Sequence, residues 1–165
     1  MLNKEEAFEV ILKEILASKI FIRRRRYIEN LFKLHKDSNY ISSIPLSLIQ
    51  IEGVVRDLGV LKGYLENKEN PEYTISSNKK APFWDIVRAL FGENAKIYGA
   101  KVRKPLTENL TGKIYKKDIR HSILHGNKLN YEDDMLSAHL IATLVSLSSE
   151  AKKLESTSKV KPYWE

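Results

Sequence analysis

The chain has 165 residues, 42% of them hydrophobic and 30% charged, which is enough for one ordinary hydrophobic core but not for two comfortable domains. Its 28 Lys and Arg against 21 Asp and Glu give a net charge of +7, which favours polyanions such as nucleic acid, although a Lys-rich solvated surface gives the same balance. The absence of cysteine excludes a disulfide framework and a thiolate metal site, and it fits a reducing cytoplasmic setting.

The N-terminus is acidic and lacks the apolar region of a secretory signal. No apolar run approaches the roughly 20 residues that span a bilayer. We therefore expect a soluble, cytoplasmic protein with no membrane contact. It should form a single domain over residues 1–165, with 155–165 as a C-terminal tail whose Tyr163 and Trp164 are able to dock on the body.

An amphipathic helix is predicted over residues 4 to about 17, because apolar residues recur there at three- and four-residue spacing. Ser18 marks a break, or else the helix runs on to about Lys36. Residues 37–39, Asp-Ser-Asn, then supply turn chemistry.

The strongest charge run consists of Arg23, Arg24, Arg25 and Arg26. Four consecutive helical residues spread over about 300°, so these side chains cannot all face one ligand. One interpretation is a solvated basic belt with one or two side chains lying over apolar neighbours. The other is a patch that binds RNA.

A second strong helix is predicted from Pro45, in its first turn, to about Leu65. It is apolar around almost its whole circumference, so we expect it to be a central core helix or to lie in an oligomer interface. Only a narrow strip is polar, formed by Gln50, Gly53 and Asp57.

Glu52 and Arg56 fall outside this polar strip, four residues apart. They either pair with each other along the helix or lend a carboxylate or guanidinium to a site on a neighbouring helix.

The rest of the sequence is predicted to alternate between loops and helices. A polar loop covers residues 66–81, a short helix opens at Pro82, and residues 93–113 are mostly irregular. A further helix begins at about residue 110 or 113 and ends at His125, with Gly126 just beyond it, and Asn130 caps the last long helix. The sequence thus predicts an all-α bundle of about four to six helices.

One guanidinium and two imidazoles lie within six residues, at Arg120, His121 and His125. An imidazole exchanges protons near neutral pH, and a guanidinium holds a phosphate through two hydrogen bonds. Together they suit cleavage of an RNA phosphodiester by its own 2′-hydroxyl, without a metal ion or cofactor. Alternatively, the histidines only interact with the dipole at a helix end, or His121 and His125 are half of a zinc site that lacks an evident third ligand.

The stretch Arg-His-Ser-Ile-Leu-His-Gly at 120–126 lies between a turn-rich segment and the last helix of the bundle. It resembles the HEPN superfamily (higher eukaryotes and prokaryotes nucleotide-binding domains), whose hallmark is Arg, four to six residues, then His. The segment PLSLIQIEGVVRDL, which begins at Pro45, is similar to the upstream core helix of bacterial HEPN proteins that carry Arg-His-x-Ile-Leu-His-Gly. The resemblance covers about residues 40 to 150 and is sharpest at 119–126.

The resemblance implies an α-helical bundle, usually a homodimer in which two such motifs face each other. Many members are metal-independent endoribonucleases in toxin–antitoxin, phage-defence or RNA-processing systems. It further implies that Arg120 orients or stabilises phosphate and that His125 is the principal acid/base residue. His121 stands where Asn is commoner, so it positions Arg120, donates to the leaving group or has no role.

The leading hypothesis is therefore an endoribonuclease with a composite dimer site, acting as a toxin or defence effector beside a cognate antitoxin or defence-system partner. The alternative is a non-catalytic HEPN-like module that binds RNA, nucleotide or a protein partner. A third interpretation makes residues 120–125 an ordinary helix end at a dimer interface.

Overall fold

Helices make up the regular structure of the residues that are described. The computed structural model describes residues 4–69, 86–87, 89–90, 119–126 and 130–165, and within these ranges it contains six helices and no strand. They are α1 (Lys4–Ile15), α2 (Lys19–Ile22), α3 (Arg25–Lys36), α4 (Tyr40–Leu61), α5 (Ile119–Leu124) and α6 (Asp134–Thr157). The predicted all-α bundle of about four to six helices is confirmed. None of the described helices is both long and apolar enough to cross a membrane.

The middle of the chain is described only in part. Residues 86, 87, 89 and 90 are helical and fall within the short helix predicted to open at Pro82. The rest of that helix, most of the predicted polar loop and the predicted irregular stretch at 93–113 lie outside the described residues.

Ser18 separates α1 from α2, which decides between the two lengths that the sequence allowed for the first helix. The break is held by Glu155 of α6. Its carboxylate accepts hydrogen bonds from Ser18 Oγ at 2.8 Å and from the backbone N–H groups of Lys19 and Ile20 at 3.1 and 2.9 Å. The first N–H groups of a helix have no partner within the helix, so a carboxylate from a distant element takes the role of the N-cap side chain here.

The central helix, α4, begins at Tyr40, five residues before the predicted start at Pro45. Asn39 sets this start, because its side chain accepts a hydrogen bond from the backbone N–H of Ser42 at 3.3 Å. The predicted position of Pro45 in the first turn is therefore wrong, and proline lies inside the helix. The helix also ends at Leu61, before the predicted Leu65, and the left-handed Gly63 follows with φ of 72°.

Pro45 leaves the backbone carbonyl of Ile41 without its usual helical donor, because proline has no N–H. The hydroxyl of Tyr131 donates a hydrogen bond to this carbonyl at 3.3 Å. Tyr131, which precedes α6, thus gives the Ile41 carbonyl the hydrogen-bond donor that Pro45 lacks.

The core is built around α4 and α6, which pack along each other, with α3 against α4 and α1 against α6. α6 begins after Asp133, whose side chain accepts a hydrogen bond from Leu136 N at 3.0 Å, so the predicted cap at Asn130 is wrong. Aspartate three residues before that N–H has the reach that an N-cap needs. The fully buried large side chains of the core include Phe21, Ile28, Leu31, Ile44, Leu48, Ile51 and Leu58.

The C-terminal segment docks on the body of the molecule. α6 continues to Thr157, and Ser158 Oγ then donates a hydrogen bond to the carbonyl of Leu61, at the end of α4, at 2.8 Å. Trp164 packs against the hydrophobic core, whereas Tyr163 stays 37% exposed. Of the two residues that the sequence marked as able to dock, Trp164 makes the core contact.

Candidate functional site

The motif segment is carried by α5, which packs against the central helix α4. Ile123 anchors α5, since its side chain belongs to the hydrophobic core and is only 6% exposed. The helix ends at Leu124, and His125 follows in an exposed turn. Gly126 has φ of 69°, and its N–H donates to the carbonyl of Ile123 at 3.0 Å. The predicted role of Gly126 as the residue that ends this helix is confirmed.

Arg120 and His121 belong to the helical backbone of α5, and His125 lies in the turn directly after it. The predicted start of this helix near residue 110 or 113 lies outside the described residues. The contacts that the sequence predicts for the side chains of Arg120 and His121 also lie outside the described part of the structure. The described geometry of the site is thus an exposed imidazole at the end of a short helix that is fixed to the core.

Glu52 and Arg56 pair with each other along α4, which was the first of the two possibilities that the sequence suggested. Arg56 Nη2 lies 3.5 Å from Glu52 Oε1, and the two side chains are 33% and 28% exposed, respectively. Neither charge is fully buried, so the pair does not carry the large desolvation penalty of a core ion pair. Both heads remain accessible to a molecule that approaches this face of α4.

The four consecutive arginines divide into two pairs that point in different directions, because α2 ends at Ile22 and α3 begins at Arg25. Arg25 forms an exposed ion pair with Glu29 on α3 at 3.3 Å, and Arg26 is exposed. These two remain available to an anionic ligand at the surface. As the sequence predicts, the four arginine side chains do not all share one face.

The other two arginines turn inward to a single carboxylate. Arg24 Nη2 lies 2.7 Å from Asp57 Oδ2, and Arg23 Nη1 lies 3.4 Å from the same oxygen. Arg24 Nη1 also donates to Gln50 Oε1 at 3.4 Å. The guanidinium of Arg23 stands 4.5 Å from the centre of the Trp164 ring, in cation–π contact. Arg23 and Arg24 therefore tie α4 and the C-terminal segment to the junction of α2 and α3.

The structural role of Asp57 was not predicted from the sequence. Its side chain is 7% exposed, and burial raises its pKa above the ordinary 3.8, although the nearby Arg24 and Arg23 lower it. The sequence placed Asp57 in a narrow polar strip on an otherwise apolar helix, and that strip is the face that the arginines cover. The sequence did contain a signal for this pairing, since Asp57 is an isolated acid on a core helix and the chain also carries a run of four arginines.

An exposed strip of mixed character runs along α4. Ile41, Pro45, Ile49, Glu52 and Arg56 follow one another at three- and four-residue spacing, which places them on one face of the helix. Ile41 and Ile49 are each 52% exposed. These two isoleucines lie two turns apart on the same face, where a second molecule can cover both of them.

Comparison with protein-family models, with curated proteins and with solved structures finds no match to this chain. Within the described ranges, no group of three His, Asp or Glu side chains is arranged to hold a metal ion.

Proposed function

We propose that this protein is a HEPN-like endoribonuclease that cleaves RNA without a metal ion, with Arg120 and His125 as its central residues. The observation that supports this most is the placement of His125 on an exposed turn at the end of α5, while Ile123 holds the same short helix in the core. An exposed imidazole on a fixed support can approach a bulky phosphodiester and exchange protons near neutral pH.

The chemistry follows from the three residues of the motif. An imidazole removes the proton from a ribose 2′-hydroxyl, the oxygen attacks the adjacent phosphorus, and the 5′-oxygen leaves and takes up a proton. The products are a 2′,3′-cyclic phosphate and a 5′-hydroxyl. Arg120 stabilises the negative charge that develops on the phosphoryl oxygens. His125 is the acid/base residue, and His121 either positions Arg120 or protonates the leaving oxygen.

We further propose that two copies of the chain join through the exposed strip on α4 to complete the site. In a two-fold interface the same surface meets itself, so a strip that ends in one acid and one base is self-complementary when the two helices run antiparallel. Glu52 of each copy then faces Arg56 of the other, and the exposed Ile49, about one turn before Glu52, becomes buried. α5 packs on α4, and we propose that this association also brings the two copies of α5 together.

The test of the catalytic proposal is cleavage of single-stranded RNA by wild type and by His125→Ala. We expect the substitution to abolish cleavage and to leave the melting temperature nearly unchanged, because His125 is exposed. His139→Asn removes an imidazole from α6, outside the motif, and should retain cleavage. Wild-type cleavage by His125→Ala would exclude the proposed site.

The reaction type has its own readouts. Cleavage should persist in EDTA and leave 2′,3′-cyclic phosphate ends, and a strict requirement for magnesium would contradict the mechanism. RNA binding without cleavage under every condition would support the alternative, a non-catalytic HEPN-like binding module. Growth arrest on induced expression, relieved by His125→Ala, would place the nuclease among toxins or defence effectors.

Charge reversal tests the dimer. Glu52→Arg should weaken association and cleavage together, because like charges then meet across the interface. Reversing both charges, in Glu52→Arg/Arg56→Glu, restores complementarity and should restore both properties. Sedimentation at several concentrations measures association. A wild-type monomer that cleaves RNA at a rate proportional to its concentration would remove the need for a composite site.

A further inference from the structure

A cavity of about 210 Å³ opens where α1, α3 and the start of α4 meet, outside the motif segment. It is lined by Glu5, Phe8, His35, Lys36, Ser38 and Tyr40. Pockets for drug-sized ligands usually measure roughly 300–1,000 Å³, so this cavity suits a smaller, ring-sized group.

Three aromatic rings form the wall of the cavity. The His35 ring lies 5.6 Å from the Phe8 ring and 5.7 Å from the Tyr40 ring, centre to centre, with interplanar angles of 50° and 58°. His35 is fixed from behind, because its Nδ1 hydrogen-bonds with Ser137 Oγ at 2.8 Å. Phe8 also packs edge-on against the buried Phe32. A wall that is rigid before a ligand arrives loses little entropy on binding.

The mouth of the cavity is polar and carries both signs of charge. Lys36 Nζ lies 2.7 Å from Glu5 Oε1, and the two side chains are 37% and 75% exposed. A carboxylate accepts hydrogen bonds and an ammonium group donates them, so the pair complements an edge that presents donors and acceptors together. The Watson–Crick edge of a nucleobase has this property.

We propose that the cavity holds one unpaired base of an RNA strand, with its ring against Phe8 and Tyr40 and its edge at Glu5 and Lys36. The proposal rests on the proposed function in taking RNA as the ligand. Proteins that bind single-stranded RNA stack splayed bases on aromatic side chains and read their edges by hydrogen bonds. The net charge of +7 favours a polyanionic strand over a neutral small molecule.

The position of the cavity fits a strand that also reaches the motif. Tyr40 precedes Ile41, whose carbonyl accepts the hydrogen bond from Tyr131. Tyr131 is five residues beyond Gly126, and a fully extended chain of this length separates the two Cα atoms by at most about 18 Å. We take the strand whose base enters the cavity to be the one whose phosphodiester meets His125.

The test uses the 165-residue chain with His125→Ala, so that cleavage does not consume the RNA during the binding measurement, and a fluorescent single-stranded RNA. We expect Tyr40→Leu to weaken binding about tenfold, which corresponds to about 1.4 kcal/mol. Tyr40→Phe keeps the ring and should stay within about twofold of the parent, within the usual effect of losing an exposed hydroxyl. Tyr27→Leu removes an exposed aromatic ring from α3, outside the cavity, and should change nothing.

A second variant guards against a folding defect in Tyr40→Leu, which thermal melting would reveal. Glu5→Gln lies at the exposed mouth, and it should alter the relative affinities for the four homopolymeric RNAs. Equal binding by the Tyr40→Leu and Tyr40→Phe proteins, or no RNA binding by the parent, would overturn the base site. Loss of binding in Tyr40→Leu beside a wild-type protein that never cleaves would keep the base site and reject the nuclease.

Discussion

Arg24 reaches the carboxylate of Asp57 at 2.7 Å from the junction of α2 and α3. The Asp57 side chain is 7% exposed and that of Arg24 is 20% exposed, so water is largely excluded from the contact. Removing one partner of such a pair leaves the other charge with poor solvation. The pair therefore holds the junction of α2 and α3 to the central helix α4.

Asp57→Ala should lower the free energy of unfolding by about 3 kcal/mol, the low end for breaking a buried ion pair, because Arg24 keeps some contact with solvent. Urea unfolding at neutral pH measures the change. Asp37→Ala, at an exposed aspartate after α3, should stay within about 0.5 kcal/mol of wild type. A similarly small loss in Asp57→Ala would show that the pair contributes little.

The pH dependence of stability should carry the signature of Asp57. Burial raises the pKa of this carboxyl in the folded protein above its ordinary 3.8, so the folded state holds the proton more tightly than the unfolded chain. The contribution of Asp57 to the free energy of unfolding is therefore greatest when the pH is below 3.8. It falls as the pH rises through the raised pKa of the folded state, and it is constant at higher pH. Asp57→Asn does not titrate, so wild type should lose stability relative to this variant across that window. The opposite trend would mean that attraction by the arginines outweighs burial.

Gly53 lies on α4 beneath the guanidinium of Arg24, where an added Cβ would stand 2.5 Å from Arg24 Nη1. Alanine in a helix interior is normally more stable than glycine by about 1 kcal/mol. We expect Gly53→Ala to destabilise the protein instead, because it displaces Arg24 from Asp57. In an Arg24→Met background the same substitution should become stabilising, and urea unfolding of all four proteins gives the coupling energy. Additive effects would contradict the steric explanation.

Tyr131→Phe removes the donor to the carbonyl of Ile41 and should cost about 1 kcal/mol, the usual net value of one hydrogen bond. Pro45→Ala restores a backbone N–H that can donate to that carbonyl within α4, so Tyr131→Phe should cost almost nothing in this background. Thermal and urea unfolding of the single and double variants provide the measurement. An equal cost in both backgrounds would show that proline does not create the need for Tyr131.

Trp164→Ala should lower the free energy of unfolding by about 2 kcal/mol, because it removes apolar contact with the core and the cation–π contact with Arg23. Tyr163→Ala is the matched control, since Tyr163 is adjacent and more exposed and its ring lies farther from Arg23, at 5.7 Å. It should cost less than half as much. If the two substitutions cost the same, docking of the C-terminal segment does not depend on Trp164.

Local signals in the sequence located the longer helices and the end of α5. Apolar periodicity found α1, α4 and α6, Ser18 was one of the two ends that the sequence allowed for the first helix, and Gly126 marked the turn, whereas the division between α2 and α3 was not predicted. The start of α4 was misplaced because Pro45 carries a familiar first-turn signal, whereas the structure uses the side chain of Asn39.

Contacts between distant residues were the part that spacing could not predict. The strip that contains Asp57 was recognised as polar, but its partner Arg24 lies 33 residues earlier, and no local pattern joins the two. The cavity was not predicted either, because its three rings come from three different helices. No local pattern in the sequence indicates that His35 and Tyr40 lie together. Arg120 and His125 were singled out as candidates because their chemistry is concentrated in one short segment.

The carboxylate of Glu155 that closes the break at Ser18 has a consequence for how the chain is made. The donors that it binds are separated from it by 135 to 137 residues, which is most of the sequence. During synthesis, α1 and α2 leave the ribosome long before their acceptor exists, and domains fold as units while the chain emerges. The first N–H groups of α2 therefore lack the Glu155 carboxylate until synthesis has passed residue 155.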